Sequence, residues 1–187
     1  SSDLAVGLSI NDISADVKAY VSDDGSHALS AGSLLVKADD TNSTIFTVAG
    51  GVAVGLSKGE QSGSAAGAGG AAFAFNKIDN SIAAYIDKAV ITTTSGGVEV
   101  NAHSKDQINA YAIGGALAGA KGGGTGGAAA IAGAGAFTFN DIRKDLSASI
   151  QNQSQVTTTG SNGVTVTATD ESTIEAIAGS IARSEEP

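Results

Sequence analysis

The sequence predicts an all-β chain, an elongated β-solenoid (β-helix-like) with long Gly/Ala-rich strands and a period of about 64 residues. Three observations predict it. The same blocks recur along the chain at nearly constant offsets, and within each block apolar side chains alternate with others as they do in strands. Proline occurs once, at Pro187, so no strand interior contains a residue that cannot donate to a ladder.

The first recurring block is Phe73-Ala-Phe-Asn76-Lys-Ile78, which returns as Phe137-Thr-Phe-Asn140-Asp-Ile142 and more faintly as Leu8-Ser-Ile-Asn11-Asp-Ile13. A second block follows each copy: Asp16–Val21, Ser81–Ile86 and Asp145–Ile150 align residue for residue with apolar positions alternating. The third block, Leu34–Ala38, Val98–Ala102 and Val164–Ala168, alternates again and is preceded by Ser-Ala-Gly, Ser-Gly-Gly or Ser-Asn-Gly, which are turn residues. The fourth runs from Ser43 to Asn76 and from Gln107 to Asn140, and consists of two Ala/Gly-rich segments interrupted at Lys58–Gly63 and Lys121–Gly127. These segments predict either a hairpin or two faces of a coil, with strands buried on both sides. Helix is the competing reading because Ala is the best helix former, but each Gly costs about 1 kcal/mol in a helix and several fall in each segment.

The blocks divide the chain into the tail of a preceding repeat over 1–10, repeat units over 11–75 and 76–139, and a truncated unit over 140–187. No Met occurs, even at position 1, so the chain is expected to be a piece of a longer one.

Composition excludes several classes of function. A net charge of −9 gives no support to a nucleic-acid footprint, which needs clustered Lys and Arg. With no Cys there is no disulfide framework, thiolate zinc site or cysteine nucleophile. The apolar stretches Ala110–Ala120 and Ala128–Phe137 fall short of the roughly 20 residues of a membrane-spanning helix.

Individual residues point the same way. His103 falls on Asp39 and Thr169 in the sister units and reads as a solvated turn residue, while His27 sits in the turn-like cluster Asp23-Asp24-Gly25-Ser26-His27; neither belongs to a metal motif. Gly122, Gly124 and Gly127 satisfy G-x-G-x-x-G, but no helix-forming segment follows and the sister loop lacks the pattern. Asp23/Asp24, Asp39/Asp40 and Glu185/Glu186 are adjacent carboxylates, not pairs opposed across a cleft, and read as solvated acidic surface. Asp23, Asp24, Asp39 and Asp40 are weak calcium candidates, since Asp-rich turns supply oxygen ligands but these lack the nonapeptide pattern of calcium-binding β-rolls. No other cofactor is expected. Asn11, Asn76 and Asn140 recur at one point of the repeat and predict a turn or a stacked side-chain ladder. The Thr runs Thr92–Thr94 and Thr157–Thr159 suggest an ice-binding hydroxyl array, but β-propensity already accounts for them.

The order Val156-Thr-Thr-Thr-Gly160, Gly163-Val-Thr-Val-Thr-Ala168, Ile174-Glu-Ala-Ile-Ala-Gly179, with a Gly/Ala block ending Gly135-Ala-Phe-Thr-Phe-Asn140, resembles the tandem repeats of very large bacterial surface proteins, the filamentous adhesins and leukotoxin-like haemagglutinins. That resemblance implies an extracellular or cell-surface location, a β-helical stalk, export through a dedicated secretion system, and no catalytic residues. The partners expected are neighbouring repeats of the same chain and a host-surface, glycan or self-association partner, without nucleic acid or a membrane span. A self-assembling fibre subunit is the first alternative. A β-helix polysaccharide-acting enzyme is the second, although Arg143 and Arg183 are the only arginines available to it.

Overall fold

Alternation resolves into strand throughout: the computed structural model describes residues 2–60, 63–123 and 126–186, and none of them is helical. Gly124 of the G-x-G-x-x-G match, Gln61 and Ser62 of its sister loop, and Pro187 lie outside the described residues. In chain order the strands are β1 (Ser2–Ser22), β2 (Ala28–Ala31), β3 (Leu34–Asp40), β4 (Thr44–Lys58), β5 (Ser64–Asp87), β6 (Val90–Thr93), β7 (Val98–Ser104), β8 (Gln107–Lys121), β9 (Ala128–Gln151), β10 (Gln155–Thr158), β11 (Val164–Asp170) and β12 (Thr173–Glu185).

Every strand pairs with the strand four places away, always in parallel. The result is four three-stranded sheets with orders β1-β5-β9, β10-β6-β2, β11-β7-β3 and β12-β8-β4. The residues aligned by sequence are those that pair: Leu8, Phe73 and Phe137 share one row, and Leu34, Val98 and Val164 another. The offset varies from 62 residues between Ala28 and Val90 to 66 between Gln107 and Thr173, and the corners absorb the difference. At the corner after β1, β5 and β9 the chain turns through left-handed backbone at Gly25 (φ 84°), Lys88 (φ 53°), and Asn152 and Gln153 (φ 54° and 64°).

Two expectations are corrected here. Of the readings of the Gly/Ala block, two faces of a coil holds and helix and hairpin do not, since β4 and β5 lie in different sheets, each hydrogen-bonded to its counterpart in the next coil; its strands are buried on one side only, with Phe46 and Val52 of β4 exposed on the other. The first and second sequence blocks are not separated by a turn either, because β5 and β9 run unbroken for 24 residues through Asn76 and Asn140.

Each long strand serves two interiors. Its second half packs with β2, β3 and their counterparts around Ile82, Ile86, Ile91, Val98 and Val100, an ordinary branched-aliphatic core. Its first half faces β4, β8 and β12 across a layer of alanines such as Ala53, Ala66, Ala116 and Ala118. In that layer the backbones of the two sheets nearly touch. A methyl group at Gly51 would sit 2.1 Å from the carbonyl oxygen of Ala71, one at Gly114 2.1 Å from that of Gly135, and one at Gly70 1.8 Å from that of Gly115. The sheets are therefore closer than the roughly 10 Å of ordinary face-to-face packing. The coil has a thick aliphatic body and a thin blade, and Ile78, Ile45 and Ile108 pack at the junction between them.

Candidate functional site

Parallel, in-register stacking puts like side chains above one another, so polar residues inside the coil find partners along the stack. Asn11, Asn76 and Asn140 show this directly. Asn11 Nδ2 donates to Asn76 Oδ1 at 2.8 Å, and Asn76 Nδ2 donates to Asn140 Oδ1 at 2.7 Å. Thr47 Oγ1 on the facing sheet accepts from Asn11 at 2.8 Å and donates to Asn76 Oδ1 at 2.7 Å. Asn76 is buried. The three asparagines lie in mid-strand, so of the turn and the stacked ladder expected there, the ladder forms, inside the coil.

A second polar group fills the corner between the third and fourth strands of each coil. The inward column of the long strands reads Ala15, Asn80, Lys144, one per coil. Asn80 accepts from the backbone N–H of Ala15 at 3.0 Å and donates through Nδ2 to Asp40 Oδ2 at 2.6 Å and Asp106 Oδ2 at 3.1 Å. Lys144 Nζ lies 3.0 Å from Asp106 Oδ2 and 3.0 Å from Asp170 Oδ1, and it donates to the hydroxyls of Ser104 and Ser172. The Asp106 side chain is fully buried and that of Lys144 is 6% exposed. Asp106 Oδ1 accepts no hydrogen bond.

The electrostatics follow from that geometry. Burial pushes the Asp106 carboxyl above its ordinary value, and the hydrogen bond and charge of Lys144 only partly oppose it. For Asp170, burial works upward as well, but hydrogen bonds from Ser172 and Lys144 outweigh it and hold the carboxyl low. One ammonium thus serves two carboxylates, with asparagine and serines taking up further polar atoms. The cluster is buried at Asp106 and Lys144 and opens to solvent at Asp170, whose side chain is 45% exposed and accepts from Ser172 Oγ at 2.6 Å.

Sequence reading singled out Asp40 but missed the cluster, because the inward column at its centre, Ala15/Asn80/Lys144, holds a different residue in each coil. A signal was there: Ile142-x-Lys144-x-Leu146 alternates, which places a lysine in an inward column between two apolar residues.

The calcium candidates fall at two different corners. Asp23 and Asp24 follow β1, where Asp24 Oδ1 accepts from the N–H of Ser26 at 2.8 Å and Asp23 Oδ2 from the N–H of His27 at 3.1 Å. Ser26 holds the Asp24 carboxyl below its ordinary value. Carboxylate and imidazole ligand atoms of Asp23, Asp24 and His27 lie within 4.8 Å of one another on the exposed turn. Asp39 and Asp40 end β3: Asp39 pairs with Lys37 at 2.6 Å, and Asp40 accepts from Ser43 Oγ and Asn80. His103 stacks beside Asp39, 4.0 Å away, and reaches within 3.8 Å of Glu171. These carboxylates brace their own turns, and the four aspartates do not converge.

The remaining feature is the outside of the blade. Phe46, Val52 and Leu56 on β4 and Ile177 and Ile181 on β12 point outward from one side; Leu8, Ile10, Phe137 and Phe139 point outward from the other. A two-sheet layer apolar on both outer faces can pack flat surfaces against a partner. No family model, curated protein or solved structure matches the chain.

Proposed function

We propose that this chain is a segment of an elongated β-solenoid and serves as a non-catalytic structural and adhesive stalk of a large secreted or cell-surface bacterial repeat protein. One observation carries the reading: strands four places apart pair in register through three coils, with like residues stacked, as in Val17/Ile82/Leu146 and Asn11/Asn76/Asn140. Such a stack buries apolar surface mainly against the coils above and below it, so its natural role is to extend. The interior is taken up by aliphatic, alanine and mutually hydrogen-bonded polar columns, which leaves the outer faces and corners for contact with other molecules.

Small-angle scattering of the chain and of a tandem duplicate tests the stalk. The cross-section should stay constant while the length grows by about 14 Å, three strand spacings of about 4.8 Å. A duplicate that becomes globular would contradict the reading. An antibody against the chain should label intact cells of the bacterium that makes it, and labelling only after lysis would remove the surface assignment.

A further inference from the structure

The polar corner between the second and third coils holds an amine against a carboxyl group with little water present. Asp106 precedes β8 in the second coil, and Lys144 lies in β9 of the third. Lys144 Nζ is 3.0 Å from Asp106 Oδ2, and both side chains are buried. Ser104 and Ser172 accept from the same ammonium and fix its position. The two carboxylates around it are not equivalent. Burial pushes Asp106 toward the neutral acid; at Asp170 burial acts the same way but is outweighed by hydrogen bonds from Ser172 and Lys144, which keep that carboxylate ionised. Two carboxyl groups driven apart in this way divide into an acid and a base.

The oxygens of Asp106 differ too. Oδ2 accepts from Asn80 Nδ2 at 3.1 Å, whereas Oδ1 accepts no hydrogen bond. A carboxyl group so placed carries its proton on Oδ1 and its carbonyl character on Oδ2, because N–H donors favour the oxygen that lacks the proton. Asn80 thus faces the oxygen that turns negative when an amine adds to Cγ, the position of an oxyanion donor. Nucleophile, neutral acid, oxyanion donor and base are all in place. Groups held in contact react as if at an effective concentration of about 10⁵ M or more, and burial keeps out the water that would hydrolyse the product.

We propose that Lys144 and Asp106 condense into an isopeptide bond, Nζ to Cγ, which staples the second coil to the third. Asp170 Oδ1, 3.0 Å from Nζ, takes in turn the two protons that the nitrogen gives up and returns each to Asp106 Oδ1. The first makes the neutral acid. The nitrogen lone pair then bonds to Cγ as the C=O pair moves onto Oδ2 beside Asn80; when that pair returns, the bond from Cγ to Oδ1 breaks and Oδ1 departs with the second proton as water. Of the ammonium's three hydrogens, one stays on the amide nitrogen and two leave in the water, so the ion pair loses one water and both charges. The exposed side of Asp170 lets that water out. Until the bond forms, the two groups contribute as an ion pair, and the pH dependence their charges set belongs to this unlinked state. The bond does not rest on the stalk reading.

Mass spectrometry of the whole chain, denatured after increasing times folded near neutral pH, tests it. The linked chain is lighter than its sequence by one water. A tryptic digest of it should yield residues 106–121 joined to residues 144–183, because Lys105, Lys121, Arg143 and Arg183 are cut while an acylated Lys144 is not. Chain kept in urea should hold its full mass. Lys144→Met and Asp106→Ala should lose the joined peptide altogether. Asp170→Ala, with circular dichroism matching wild type, should form it about a hundredfold more slowly. Wild type that keeps its full sequence mass after days in the folded state, a water loss without the joined peptide, or a joined peptide that forms as fast in urea or without Asp170 overturns the proposal.

Discussion

Lys144 is the residue on which the interior electrostatics turn, because its ammonium lies within ion-pairing distance of both Asp106 and Asp170. Asp106, whose carboxyl burial raises, costs stability as pH rises through its ordinary range, since the unfolded chain releases that proton first. Asp170, held low, does the opposite: its contribution is present above the ordinary carboxylate range and is lost as pH falls through its folded value. Removing the ammonium leaves Asp106 an uncompensated buried acid, while Asp170, whose side chain is 45% exposed, keeps solvent and the Ser172 hydroxyl. Lys144→Met should therefore destabilise by about 3 kcal/mol near pH 7 and by much less near pH 4, where the Asp106 carboxyl, raised by burial and no longer opposed by the ammonium, takes up its proton. Urea unfolding at the two pH values measures this, and an equal loss at both would mean that the lysine acts through packing alone.

At the scale of strands and sheets, what decides the shape is how closely two layers approach. The blade exists because Gly7, Gly51, Gly55, Gly70 and Gly114 point inward, where any side chain would overlap the opposite backbone. Gly114→Ala must push β8 away from β9 and should cost about 3 kcal/mol or more. Gly179→Ala, on the outer face of β12 with nothing within 4 Å, should lie within about 0.5 kcal/mol of wild type or slightly above it, through the unfolded chain's lost freedom. Paired urea titrations compare the two; similar losses would mean that the layers are not in contact. Much of this was legible in the sequence, since alternation gave the strands and the repeats gave their register. Two things were not. The four-residue strands β2, β6 and β10 share no residue type across coils beyond Val90-Ile-Thr-Thr and Gln155-Val-Thr-Thr, and four residues are too few for a period to show. The asparagines read partly as turns because an inward amide is costly in a lone strand, and becomes cheap only when identical amides stack above and below it.

For the whole molecule, one rule generates both the interior and the outer faces: each coil repeats the last about 64 residues on, strand over strand, and departures from exact repetition mark the places where coils differ. The Ala15/Asn80/Lys144 column is such a departure inside, and the Leu8/Phe73/Phe137 row of the blade is another outside. Neither kind was legible from a repeat search, which rewards sameness. Both became visible once the alternation was read as inward and outward columns.

The in-register stack is the central claim, and a chain with no native cysteine allows a direct test of it. Lys18, Ala83 and Ser147 occupy one outward row. Adjacent coils place equivalent Cα atoms about 4.8 Å apart, within the 4.4–6.8 Å that a disulfide spans, whereas a shift of two residues along the strand exceeds it. Oxidation should cross-link Lys18→Cys/Ala83→Cys and Ala83→Cys/Ser147→Cys within one chain, and leave Lys18→Cys/Tyr85→Cys open. If the first two pairs fail to link while the offset pair does, the register is wrong, and the stalk and the blade fall with it.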